Sequence, residues 1–193
     1  MAETRIIHGT PSVIARTRLQ LGDVLDMLAE PALLLVLDSV QDPHILGACL
    51  RCAEAFGAHA VIAQQDRAIE LDATAENDSY GAAEAVPYIT VANLVQTLRE
   101  LKKRDIWVVG MDGEAENDLH NFYHADALAL VMDTEGKGLR DETKNVCDQL
   151  LSIPMRGRME NFDASISVGI CLFEARSDRV TGVDHTQGFS VTG

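Results

Sequence analysis

Cys49 and Cys52 stand three residues apart, a spacing that can supply half of a tetrahedral metal site or a redox pair. A complete structural site needs a second ligand pair, and the other two cysteines, Cys147 and Cys171, form no second CxxC and lie beside no histidine pair. All four therefore read as small, reduced core residues, and no metal is expected. Basic side chains gather at Arg16 and Arg18, from Lys102 to Arg104, and at Arg156 and Arg158, the chemistry of a phosphate contact. The net charge is −14, which argues against strong autonomous binding of nucleic acid and leaves either a small positive patch or ordinary solvated charge. Neither GxGxxG nor GxxxxGK[ST] occurs, so the common phosphate-cradling loops are missing and any ligand must be held in another way.

Those residues need elements to position them. The run LLLVL at 33–37 is continuously apolar and stops at Asp38, as suits a strand buried on both faces of a parallel sheet. A helix over Leu46–Phe56 closes at Gly57, and AVIA at 60–63 is the next strand, completing a βαβ unit. The pattern continues with a helix from Val91 to Lys103, strands at 106–110 and 127–132, a helix near 139–148, a short strand at 150–155 and a last helix from about Ala164 to Arg179. Five strands alternating with helices predict a three-layer α/β domain. Residues 1–30 read as a linker-like lead-in with a short amphipathic helix around 19–28, residues 31–180 as the domain, and 181–193 as a loosely ordered tail.

With 193 residues, 47% of them hydrophobic, the chain can fill one core. No stretch approaches the roughly 20 apolar residues of a membrane span, and the first residues lack a signal-peptide core, so a cytoplasmic protein without membrane attachment is expected.

Three segments carry a resemblance to a known family. LDSVQDPHILGACLRCAEAFGAHAVI at 37–62 resembles the first motif of SpoU-type (TrmH-family) RNA ribose methyltransferases, in which a DNxxDPxNxGAxxRxA pattern joins strand to helix. LALVMDTEGKGL at 128–139 resembles the family's strand followed by a Gly-x-Glu-Gly-x-Gly loop. LLSIPMRGRMENFDASISVGICLFEA at 150–175 is similar to its IPMxGxxxSLNVSVAxGIxLxEA signature. The likeness covers about residues 31–178. Within the family the 23S rRNA guanosine 2′-O-methyltransferases look most similar, YGAAEAVPYITVANLVQTLRE at 80–100 included.

The resemblance implies a knotted SPOUT fold with a deep C-terminal trefoil, a homodimer, and S-adenosylmethionine as cofactor. It also implies methyl transfer to a ribose 2′-hydroxyl of rRNA or tRNA. Those rRNA enzymes normally carry an additional N-terminal RNA-binding domain, and none is expected within residues 1–30 of this sequence. Arg51 matches the motif-one arginine, expected to contact an RNA phosphate; a guanidinium stays protonated, so its assigned work is electrostatic. Glu135 matches the motif-two glutamate and would orient neighbouring loops. The cofactor-binding matches are Met111, Asp133, Gly136, Ile153 and Phe162, and the remaining catalytic matches are Asp163 and Ser165.

Four positions depart from the pattern. Ile45 stands for an asparagine, Asp133 for a glycine, Asn161 for a serine and Asp163 for an asparagine, while Glu76, Asn77 and Asp78 replace basic residues before the GAAE segment. An aspartate can act as a base where asparagine cannot. Two expectations follow: an active methyltransferase with a divergent site, or a catalytically degenerate knotted homodimer serving as a binding or assembly module. A weaker third, a small-molecule-binding α/β domain, rests on the acidic charge alone.

Overall fold

A computed structural model of the chain describes residues 20–121, 125–159 and 162–181. Six strands form one sheet: β1 (Leu33–Ser39), β2 (Ala60–Gln64), β3 (Tyr88–Val91), β4 (Trp107–Met111), β5 (Leu128–Asp133) and β6 (Gln149–Leu151). Their order is β3-β2-β1-β5-β4-β6, and every pairing is parallel. The helices are α1 (Leu21–Asp26), α2 (Pro43–Ala55), α3 (Ala73–Asp78), α4 (Ala82–Ala85), α5 (Leu94–Lys102), α6 (Asp141–Lys144) and α7 (Ala164–Thr181).

Alternation along β1 explains the three layers. Successive side chains of a strand point to opposite faces, so an unbroken apolar run must be covered twice. Leu33, Leu35 and Leu37 join the core under α2 and α7, with Leu46, Cys49, Leu50, Val168 and Leu172. Leu34 and Val36 join the opposite core with Val24 of α1 and Leu94, Leu98 and Leu101 of α5. The later half of the lead-in is therefore packed: Val24 is buried, Arg104 donates to Asp26 at 2.6 Å and His59 meets Glu30 at 3.0 Å. Residues 1–19 and 182–193 lie outside the described residues.

Several elements differ from the sequence expectation. β3 is a sixth strand where none was expected, and it ends on Val91, the expected helix start; at four residues, with Thr90 exposed and only Ile89 buried, it leaves no apolar run. Helix α5 starts at Leu94 rather than Val91 because the Asn93 side chain accepts from Gln96 N at 2.9 Å, an N-cap. The helix expected over 139–148 shrinks to α6, since Asp148 is drawn into sheet pairing: its N donates to Val108 O at 2.7 Å and its carboxylate accepts from Val108 N at 2.9 Å. The strand expected over 150–155 is β6, ending at Leu151, after which Ser152 makes only an isolated bridge to Asp118. Helix α2 closes as expected, Gly57 taking φ 69° while Ala58 N donates to Ala53 O at 2.7 Å.

Candidate functional site

Because all six strands run the same way, the loops after β1, β5, β4 and β6 emerge side by side at one sheet edge, the usual ligand position in open α/β sheets. Met111 ends β4, Asp133 ends β5 and Ile153 follows β6. Cross-links hold these loops together. Asp112 N donates to Leu151 O at 2.8 Å, Ser152 N to Asn117 O at 2.9 Å and Leu119 N to Ser152 O at 2.8 Å. Asp112 pairs with Lys144 at 2.6 Å. Burial alone would raise the Asp112 carboxyl, but hydrogen bonds from Lys144 and from Glu114 N outweigh it and hold the group below its ordinary range.

Asp133 folds its own loop. Its Oδ2 accepts from Lys137 N at 2.8 Å and Gly138 N at 3.0 Å, and its Oδ1 accepts from Glu135 N at 3.2 Å. The carboxylate, at a position where the resemblance leads one to expect glycine, is thus turned onto backbone N–H groups and serves as an internal anion for a nest of amides. Gly136 and Gly138 take φ 73° and 77°, a backbone that side-chain-bearing residues rarely adopt. Glu135 Oε1 accepts from Gln41 N at 2.9 Å, and Thr134 Oγ1 donates to Ser39 O at 2.5 Å, so the loop is fastened to the β1–α2 connection.

Beneath that loop sits a network sequence reasoning passed over. Asp38, 2% exposed, accepts from Arg140 N at 3.0 Å, Arg140 Nε at 2.9 Å and Thr143 Oγ1 at 3.0 Å. Arg140 also donates to Gln64 Oε1 at 2.9 Å. A buried charge needs a partner, so the aspartate that ends an apolar strand run was the available signal.

Arg51 lies elsewhere. It is exposed on α2, roughly 12 Å along the helix axis from Pro43, and so well removed from the Glu135–Gln41 contact. Its Nη1 donates to Asp78 O at 3.4 Å, and its guanidinium stands 5.3 Å from the centre of the Tyr80 ring. Arg51 and Glu54 form one wall of an open cleft of about 550 Å³, and residues from Ser79 to Ala85 form the other. Gly47 permits this arrangement: a Cβ there would lie 2.7 Å from Asp78 Cβ and 2.9 Å from Ala75 O, so only glycine lets α3 sit this close to α2. His44 hydrogen-bonds Asp78, and that carboxylate raises the imidazole above its ordinary value.

Cys49 and Cys52 do face the packing around α2. Cys49 is buried, with its thiol pushed up to about 12 by desolvation, and Cys52 Sγ contacts Ser165 O at 3.7 Å. That contact brings the start of α7 against α2, one residue from Arg51. Asp163 and Phe162 are exposed just before α7, Asp163 O accepts from Ser167 N at 3.0 Å, and Ser165 is half-buried. Ile45 is half-buried and packs against the core. Asn161 lies outside the described residues, as do Arg16 and Arg18. Lys102 and Arg104 are committed to Asp148 at 2.7 Å and Asp26 at 2.6 Å, which weakens that cluster as a phosphate surface; Arg156 and Arg158 are exposed.

The residues at the strand ends fit a nucleoside-bearing sulfonium cofactor. At Gly113, Gly136 and Gly138 an added Cβ would meet nothing within 4 Å, so backbone there is open to close approach. Met111, at the end of β4, is buried in the core, and half-buried Ile153 packs against that core. Among the described residues no helix is long and apolar enough to cross a membrane, and no group of three or more His, Cys, Asp or Glu residues could hold a metal.

The SpoU rRNA Methylase family profile matches residues 32–173. The chain is 53% identical over 161 residues to the 23S rRNA (guanosine-2'-O-)-methyltransferase RlmB of Ralstonia nicotianae, covering 83% of this chain and 65% of that protein. It is 47% identical over 173 residues to the Escherichia coli protein of the same name, covering 86% and 71%. Among solved structures it is similar to an AdoMet-bound rRNA methyltransferase from Sinorhizobium meliloti, with TM-score 0.71, 28% identity and coverage of 79% and 57%. An RNA 2'-O ribose methyltransferase matches with TM-score 0.72, 26% identity and coverage of 79% and 58%. The chain thus spans about two thirds of the length of the curated relatives it matches.

Proposed function

Since the chain belongs to the SpoU rRNA methylase family, we propose that it transfers methyl from S-adenosylmethionine to a ribose 2′-hydroxyl of rRNA. A guanosine of 23S rRNA is the target class, as in the names of the relatives. The observation that carries this reading is the set of loops after β4, β5 and β6 brought to one edge, with the β5 loop closed on Asp133.

Met111, Asp133, Gly136, Ile153 and Phe162 are the residues that would hold the cofactor. When bound, S-adenosylmethionine supplies a methyl group activated by its sulfonium charge. Glu135 fixes the height of that loop through Gln41 N, so the loop backbone is positioned before any ligand arrives. Arg51, protonated, clamps a phosphate and favours negative charge on the ribose oxygen. Asp163, exposed at the start of α7, is the candidate acceptor for the 2′-hydroxyl proton, with Ser165 beside it as a hydrogen-bonding partner.

Arg51 and the β5 loop are far apart within one chain, which supports a homodimeric enzyme of the cytoplasm in which a second copy completes the site. Return of the chain from edge strand β6 to α7, packed centrally on α2 and β5, supports the C-terminal knot.

Calorimetric titration with S-adenosylmethionine tests the reading. It predicts micromolar binding, one site per chain, by a protein that sediments as a dimer at micromolar concentration. Absence of binding into the millimolar range would overturn the enzymatic reading in favour of a non-catalytic knotted module.

A further inference from the structure

Tyr80 stands out among the large side chains by being 83% exposed, although its backbone is tightly held. Its N donates to Asn77 O at 3.1 Å. Next to it, buried Ser79 donates from Oγ to Glu76 O at 2.7 Å and accepts from Ala83 N at 3.1 Å, pinning α3 to α4 across the junction. Tyr80 itself takes φ 50°, and Gly81 follows at φ 87°. Two left-handed residues in succession throw the ring outward, a conformation that costs a tyrosine more than an asparagine and that marks functional positions when the surrounding structure enforces it. An aromatic ring on a rigid junction, turned to solvent, does nothing for the core.

One face of the ring is covered by the Arg51 guanidinium at 5.3 Å, and the exposure of the residue leaves the other open. Aromatic faces of this kind receive unpaired nucleic-acid bases, and an adjacent arginine adds a phosphate contact to the stacking. The electrostatics of the cleft favour stacking over charge. Glu54 lies on the same wall as Arg51, so the cation is partly offset and phosphate attraction alone is weak there. A stacked base is held without net charge, which suits a chain with net charge −14.

We propose that Tyr80 is the stacking platform for an unpaired base of the RNA substrate, positioned by Arg51 so that a nucleotide close to the methylated ribose is extruded into the 550 Å³ cleft. This rests on the methyltransferase reading and adds to it the form of the RNA: single-stranded, or opened, at the target. Tyr80 is a binding and specificity residue; the methyl transfer itself does not pass through it.

The test uses the full chain with S-adenosylmethionine and a 23S rRNA transcript containing 5-iodouridine, whose photo-cross-link forms with a stacked aromatic side chain. The expected results are a cross-linked peptide containing Tyr80, and a KM for the RNA raised about tenfold in Tyr80→Asn with little change in kcat. Asparagine suits the left-handed backbone, so that variant removes the ring without straining the fold. Tyr80→Phe should rescue KM, because stacking needs the ring and not the hydroxyl. Methylation by the wild type with no cross-link at Tyr80 and an unaltered KM in Tyr80→Asn would overturn the platform while leaving the enzymatic reading intact. Failure of the wild type to bind or methylate the RNA at all would overturn both.

Discussion

In the loop after β5 a single carboxylate, Asp133, accepts three backbone N–H groups, Glu135 fastens the loop to Gln41, and the Asp38–Arg140 network lies beneath. Around Arg51 the reverse holds: one long hydrogen bond of 3.4 Å, one ring contact, and a cleft between the last turns of α2 and the short junction that leads into four-residue α4. The first region is satisfied internally before any ligand arrives, which suits a small cofactor held by backbone groups. The second presents a cation and a ring to solvent, which suits a large partner that brings both an unpaired base and a phosphate. The contrast teaches that the two halves of the reaction should fail separately.

Arg51→Ala breaks the comparison most sharply. Transfer should fall about 100- to 1,000-fold, about 3–4 kcal/mol, while S-adenosylmethionine affinity measured by calorimetry stays close to wild type. Equal loss of both would merge the two regions into one and remove the assigned role. Asp38→Ala acts on the other side: it strips Arg140 and Thr143 of their shared acceptor and should cost about 3 kcal/mol in urea unfolding. A loss under 1 kcal/mol would mean that solvent already satisfies Arg140, which is 21% exposed.

Gly47→Ala should cost about 2 kcal/mol and shift α3 off α2, displacing Asp78 from both His44 and Arg51. RNA affinity should drop with it, and cofactor affinity should not. Asp133→Ala should weaken S-adenosylmethionine about tenfold by releasing the loop amides, with a KM for RNA that barely moves. Tighter cofactor binding in that variant would instead show that the carboxylate opposes the ligand.

The smallest effect concerns pH. His44 is raised above its ordinary value of 6.5 by Asp78, so the stabilisation it contributes is complete below the unfolded value and is lost as pH rises through the folded one. An NMR titration of the His44 ring should give a midpoint above 6.5 that returns toward it in Asp78→Asn. An unchanged midpoint would uncouple α3 from α2.

The buried half of the molecule was legible in the sequence because parallel strands covered on both faces leave unbroken apolar runs, as at 33–37 and 128–132. β3 was not, since a four-residue edge strand with one buried residue leaves no such run. The extent of α6 was lost for a different reason: Asp148 reads locally as helical but is captured by Val108, 40 residues away. At the candidate site, the family resemblance pointed to Met111, Asp133 and Ile153, which stand at or just after strand ends. It did not show that Asp133 would turn inward on its own loop, that Ile45 would pack on the core, or that Tyr80 would stand beside Arg51. Each depends on a side-chain direction set by tertiary neighbours.

The most direct test of the methyltransferase assignment is to incubate the protein with methyl-labelled S-adenosylmethionine and unmodified 23S rRNA, then digest the RNA and identify the labelled nucleoside by mass spectrometry. The account predicts label in 2′-O-methylguanosine, absent with Arg51→Ala. Cofactor binding without label in any ribose-methylated nucleoside would contradict it and leave a non-catalytic binding module in its place.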